Sequence, residues 1–500
     1  MSLILRTGSS DDCSRASYRK WLKWIVLAAL IIRAAILLFA ELRPERFDFP
    51  DSHRYVLVAR NIAAGNGPVQ DDAFSGTDPL YPLLLSPAIF LGVEDEAAIL
   101  RFGRLVNVVC AIGSIFLLAA FARRLAGSRV ALIAATILAV DPILLYFNAL
   151  VLTESGTITL LLATYYCLMR LKEPAPLVWA LLAGICAGLS ILLHGGNLFI
   201  PILLVPFVWG FVGVGSRGIG TSLCRSIDDR RDADDSQLTT ATKEIETTKE
   251  TTTATTTETK TTTATHRRDA DAPQLTTPPT HRGDADDSRG GTLRLGGRDR
   301  DPSRPAAVGC FLLAAVFMLC PVIIRNYRLF GAFVPVRTGS GESLLEALGP
   351  WADGGPGMDR IVYPVFPPGA DEVERDRLCR AAAIDWARSN PRAVAALAWT
   401  KLCRTWSIVL HAHGYTSPFH KLVCWLTVAP IFGLAVGGVW LWRRRPADIA
   451  LLLLPAAYLT LMHVVFVGSV RYRVPAMPFL FILAAVPIGS IRFGSRDAVS

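Results

Sequence analysis

The chain has 500 residues, of which 52% are hydrophobic and 19% charged, with a formal net charge of +9. Together with a mean hydropathy of +0.39, this excludes an ordinary soluble domain, which carries more charge and less apolar sequence. The positive balance is explained by anchoring to an anionic membrane surface, so no nucleic-acid partner is read from it.

The apolar residues come in blocks, not in alternation. A membrane-crossing helix needs roughly 20 mostly apolar residues, whereas a barrel strand alternates. Blocks near 21–41, 99–122, 130–147, 152–170, 177–194, 197–214, 306–324, 421–442, 448–468 and 474–490 predict an all-α polytopic membrane protein of about ten spans. The first block has no small-residue cleavage site and reads as a retained helix. Arg15, Arg19, Lys20 and Lys23 put its N-terminal side in the cytoplasm, and Arg123, Arg124, Arg129, Arg170, Lys172 and Arg443–Arg445 agree in later loops. Both termini are therefore expected in the cytoplasm of an inner-membrane, multi-pass protein.

Three segments interrupt the spans and divide the chain into an N-terminal half, 1–214, an insert, 215–305, and a C-terminal part, 306–500. The first is an outer loop, 42–98, with two interfacial helices expected near 51–64 and 80–91. The second is the insert, in which Arg231-Asp232-Ala233-Asp234 recurs as Arg268-Asp269-Ala270-Asp271 beside runs of threonine. Such sequence builds no core, and a disordered cytoplasmic segment is expected. The third, 325–420, is expected outside and ends in one helical stretch from Asp371 to about Leu410. Its apolar face would carry Ala395, Ala398, Trp399, Leu402 and Trp406, with Arg392, Lys401 and Arg404 on other faces.

The candidate chemistry gathers on the outer side. Phe47-Asp48-Phe49-Pro50-Asp51-Ser52-His53-Arg54-Tyr55 sets two acids at a membrane edge. Asp51, or Asp48 in its stead, is either a helix cap or a general base. Glu154 opens a span on the same side, and Asp141 closes another. Arg325, Arg328, Arg471 and Arg473, with Arg101 and Arg104, lie where positive charge is normally depleted. Arginine forks match phosphate oxygens, so this set implies an anionic headgroup. His53, His194, His411, His413, His420 and His463 also fall here, but without metal-ligand spacing. No metal ligands are assigned, although a divalent metal is left open. Cys379 and Cys403 are expected outside as unpaired thiols.

Taken in order, Asp51-Ser-His-Arg-Tyr55, Gly65-Asn-Gly67, Pro79-Leu-Tyr-Pro82, Leu152-Thr-Glu154, Gly184, Gly188-Leu189, Pro321-Val-Ile-Ile-Arg325-Asn326-Tyr327 and Arg471-Tyr-Arg-Val-Pro475 resemble the bacterial membrane glycosyltransferases of the GT-C type. That group includes protein O-mannosyltransferases and the aminoarabinose transferase. The resemblance implies a bundle whose first outer loop folds over a cavity, with outer interfacial helices. It implies a sugar carried on a polyprenyl phosphate as donor and a lipid, glycan or protein acceptor on the outer, periplasmic side. Asp51 would be the base of an inverting transfer, with Asp48 and Glu154 as further catalytic acids. Arg471, Arg473, Arg325 and Tyr472 would hold the donor phosphate, and Tyr55, Tyr81, His53 and Asn326 would line the cavity. The family usually carries Arg-Pro where this chain has His194-Gly195. The competing readings are a transporter or flippase for an anionic glycolipid, and a non-catalytic scaffold that binds polyprenyl lipids.

Overall fold

The computed structural model describes residues 8–69, 76–212, 303–409 and 417–491. All belong to one compact unit formed by 1–215 and 302–500. Among them every regular element is a helix. In chain order these are α1 (Gly8–Leu42), α2 (Pro50–Ala63), α3 (Leu80–Phe90), α4 (Glu96–Val140), α5 (Pro142–Ala149), α6 (Glu154–Arg170), α7 (Pro176–Leu193) and α8 (Ile200–Phe211). After the insert come α9 (Ser303–Phe330), α10 (Ser340–Ala347), α11 (Glu372–Ser389), α12 (Pro391–Thr405), α13 (Pro418–Leu441), α14 (Pro446–Val465), α15 (Val470–Arg473) and α16 (Met477–Ser490). Of the insert, 215–302 lies outside the described residues, as do His411 and His413.

The all-α membrane architecture is as expected, but the span count is lower. Seven described helices are long and apolar enough to cross a membrane, or eight if α5 and α6, bent by 116°, count as one broken span. The difference from ten has local causes. The blocks at 99–122 and 130–147 both fall within α4, which consists of two helical stretches joined at a kink at Gly127 (φ 87°, ψ 174°), a backbone conformation that only glycine adopts without strain, so a count by continuous helix takes them as one. Asp141 then caps α5 through Leu144 N at 2.9 Å while Pro142 occupies its first turn, which ends α4 at Val140. The block at 197–214 becomes a 3₁₀ turn, Gly195–Asn197, followed by the 12-residue α8.

The helices meet through small residues, as packing within lipid demands. A Cβ on Gly184 would lie 2.2 Å from the carbonyl oxygen of Phe311, and one on Gly188 would lie 2.7 Å from that of Ala315, so α7 and α9 touch backbone to backbone. Gly438 does the same for α13 against Leu483 of α16. Residues Phe479 to Val486 are all buried, so this stretch of α16 is enclosed by its neighbours. Trp21, Trp24, Leu38 and Leu42 of α1 are exposed apolar surface at its edge.

The two expected interfacial helices of the first loop are α2 and α3. The stretch from Asp371 is corrected: Asn390-Pro391 divides it into α11 and α12, because proline cannot donate the next helical hydrogen bond. Trp399, on the expected apolar face, is 67% exposed, whereas Lys401 departs from the expected polar face: it is 1% exposed and donates to Val465 O at 2.9 Å. The Lys401 ammonium thereby closes the C-terminal end of α14, where carbonyls lack helical partners. Cys379 and Cys403 are free thiols, the first buried and the second exposed.

Candidate active site

Three segments converge on one point. Phe49 is extended and Pro50 occupies the first turn of α2, which brings Asp51 to the start of that helix. Ser52 donates to Val151 O at 3.2 Å, tying α2 to the bend between α5 and α6. Glu154 is the first residue of α6. Arg471 lies in the single turn α15, capped by Ser469.

There the Arg471 guanidinium bridges two carboxylates. Nη1 donates to Asp51 Oδ2 at 2.6 Å and Nε donates to Glu154 Oε1. The Phe49 ring sits under the guanidinium, 5.1 Å from its carbon. Side-chain exposure grades the three: 7% for Glu154, 14% for Arg471 and 26% for Asp51. Arg54 approaches Asp51 from the other side at 3.8 Å. Burial alone would raise the Asp51 pKa, but Arg471, through its charge and hydrogen bond, with Arg54 and Arg337 behind it, holds the carboxyl below its ordinary value. Asp51 is thus ionised at neutral pH.

A second ion pair borders the first. Asp78, just before α3, lies 3.4 Å from Arg337 Nε, and Arg337 Nη1 donates to Gly76 O at 3.2 Å. The Asp78 charge outweighs burial and raises the Arg337 pKa further. Glycine at 195 leaves room for Asp78, since a Cβ there would approach Asp78 Oδ1 to 3.0 Å. The His194-Gly195 pair is therefore part of the wall of this site. Opposite it, the Tyr472 and His463 rings stack at 3.9 Å with 6° between planes. Beneath Asp51 the Tyr55 ring meets Tyr81 edge-on at 5.1 Å, and Tyr81 OH donates to Asn107 Oδ1 at 3.0 Å. Burial first, and the neighbouring Asp51 charge second, push the Tyr55 phenol well above its ordinary pKa, so it stays protonated.

The sequence candidates divide accordingly. Asp51 and Glu154 both contact Arg471, with Tyr55, Tyr81 and Tyr472 around them. Asp48 and His53 form a separate exposed cluster: His53 Nε2 is 2.5 Å from Asp48 and Nδ1 is 2.6 Å from Glu96 of α4. The hydrogen bonds that His53 donates to Glu96 and then to Asp48 raise its pKa. Arg473 is turned away. It is 1% exposed, donates to the carbonyls of Thr405 and Ser407, and packs on Phe432 at 5.2 Å. Arg325 donates to Asn326 Oδ1 at 3.0 Å beside Gly67. Asn326 is buried and donates to Val334 O and Val336 O at 3.0 Å each, fixing the strand of chain that delivers Arg337. Among the described residues no group of three or more His, Cys, Asp or Glu could hold a metal ion.

Asp78 and Arg337 are site residues that the sequence reading did not single out. Asp78 was visible as an acid directly before an apolar helix on the Asp51 side. Arg337 falls in Gly- and Pro-rich sequence and interrupts no span, so it gave no signal.

Comparison with known proteins places this geometry in context. Residues 81–213 match the family described as dolichyl-phosphate-mannose-protein mannosyltransferase. That segment carries Tyr81, Asn107, Glu154 and Gly195. No characterised protein sequence matches the chain. Among solved structures, the oligosaccharyltransferase of Archaeoglobus fulgidus in its apo form aligns with a TM-score of 0.45 and 10% identity, over 94% of this chain. This chain spans only 50% of that protein's length. ArnT from Cupriavidus metallidurans in its apo state aligns with a TM-score of 0.34 and 14% identity, over 93% of this chain and 76% of its own. The resemblance of the chain to GT-C-type membrane glycosyltransferases is thus met, over residues 81–213, by a match to the family of dolichyl-phosphate-mannose-protein mannosyltransferases.

Proposed function

We propose that the protein transfers a sugar from a polyprenyl-phosphate donor to an acceptor hydroxyl at the Asp51 face of the membrane. The observation that carries this reading is the direct contact of Arg471 with Asp51, 420 residues away, at 2.6 Å. It joins a phosphate-binding side chain to a general base in one centre. The reading sets that centre on the periplasmic side of an inner membrane, with both termini cytoplasmic.

The reaction is a single displacement. The acceptor oxygen attacks the anomeric carbon as its proton passes to the Asp51 carboxylate, and the bond from that carbon to the phosphate oxygen breaks with its electron pair leaving on phosphate. The anomeric centre inverts. Arg471, with Arg337 nearby, offsets the charge that grows on the leaving phosphate. The polyprenyl chain lies among the spans and holds the donor in register. Tyr472, Tyr55 and the Asp78–Arg337 pair shape the sugar side, and the acceptor is a hydroxyl of a lipid, glycan or protein.

The test uses radiolabelled polyprenyl-phosphate sugar and the purified full-length protein in nanodiscs. Wild type should release or transfer label, and Asp51→Asn should lose roughly 100-fold or more of that rate. A full rate in Asp51→Asn would remove Asp51 from its role. Uptake of intact glycolipid into sealed vesicles, without cleavage of the sugar–phosphate bond, would replace the enzyme by a transporter.

A further inference from the structure

A carboxylate already committed to arginine is a poor base, and an arginine shared by two carboxylates is a poor phosphate receptor. Arg471, Asp51 and Glu154 together carry a net negative charge, so an approaching phosphate meets competition. The two carboxylates are not equivalent. Glu154 is 7% exposed, begins the long helix α6, and holds Nε along the arginine stem. The positive end of the α6 dipole favours its charge in that position. Asp51 is 26% exposed, sits at the start of the short loop helix α2, and holds only the outer nitrogen Nη1. Arg54 stands 3.8 Å away, beyond hydrogen-bonding distance, so Arg471 is the closer of the two arginines that face Asp51.

We infer that Arg471 is an exchange latch: a donor phosphate displaces Asp51 from Nη1 while Glu154 keeps the guanidinium in place, so Asp51 is released as a base only when a phosphate is bound. The inference rests on the donor class proposed above and adds an order of events and a positioning role for Glu154. Loss of the guanidinium contact and arrival of a nearby anion both favour the protonated form of Asp51. The base therefore strengthens when the donor arrives. Without the donor it stays weak, and the centre does not activate water.

The experiment is titration of the full-length protein, in nanodiscs of zwitterionic lipid, with decaprenyl monophosphate, with inorganic phosphate as a second titrant to separate headgroup from lipid recognition. Asp51→Asn removes the competitor and should bind the prenyl phosphate about tenfold tighter than wild type. Glu154→Gln should bind no tighter, because the guanidinium loses its anchor, and Arg471→Ala should lose binding. Asp51→Glu keeps the competing charge and should stay near wild type, which guards against a folding artefact in Asp51→Asn. Equal tightening in Asp51→Asn and Glu154→Gln would mean simple charge repulsion and would overturn the latch, as would unchanged affinity in Asp51→Asn. In either case, binding by wild type and its loss in Arg471→Ala would leave the donor reading intact. Absence of binding in both wild type and Asp51→Asn would overturn the donor reading and the latch together.

Discussion

Arg471 and Arg473 stand two residues apart in one short turn, yet they serve two different regions. Arg471 faces carboxylates from α2 and α6 in a partly open centre. Arg473 is buried, with Nη1 on the carbonyls of Thr405 and Ser407 and the guanidinium against the Phe432 ring. Lys401 repeats the second pattern against Val465 O. The lesson concerns exchange. A cation held by backbone carbonyls is part of the fold, because a carbonyl is fixed by the main chain and does not titrate. A cation satisfied by carboxylates can change partners, because each carboxylate can be solvated or protonated.

Substitution of the two arginines is the sharpest way to break this comparison. Arg471→Ala should lower sugar transfer by roughly 100- to 1,000-fold, a loss larger than the drop in melting temperature that comes from leaving the buried Glu154 unpaired explains. Arg473→Ala should leave transfer per folded molecule near wild type and cost about 1–3 kcal/mol in stability through the lost bonds to Thr405 O and Ser407 O, read by thermal unfolding in detergent. Equal effects on both readouts from both variants would erase the distinction.

Lys401 gives a pH-dependent version. Burial brings its pKa down from 10.5 to about 8. The unfolded chain therefore binds more protons between these values, and stability should rise as pH increases from about 8 towards 10.5. Lys401→Met should flatten that rise, and an unchanged slope in the variant would assign it to another group. The smallest effect is expected at the exposed His53 cluster. Its raised pKa makes the contribution present below the ordinary value of 6.5 and lost as pH rises through the higher folded value. His53→Gln should be slightly less stable than wild type at pH 6 and equal to it at pH 9, by the same melting assay.

Much of the architecture was legible from apolar block length, because a helix in lipid has few alternatives. The helices of the first loop were legible from Asp51-Ser-His and Pro79-Leu-Tyr in the same way. Span counting was less so, since Gly127 and Asp141-Pro142 alter how adjacent blocks join without changing their hydropathy. At the site, Asp51, Glu154 and Arg471 stood out as charges at the edge of apolar runs. Asp78 and Arg337 did not, because a proline-rich loop makes a charge look ordinary.

By itself, the sequence determined that this is a helical membrane protein and that acids and arginines gather at the ends of its apolar runs. Only the tertiary structure decided that Glu154 and Asp51, 317 and 420 residues from Arg471, share one guanidinium. It also decided that Arg473 does not join them. Successive residues of a helix turn by about 100°, so two positions apart means nearly opposite directions, and the neighbours in each direction come from distant parts of the chain.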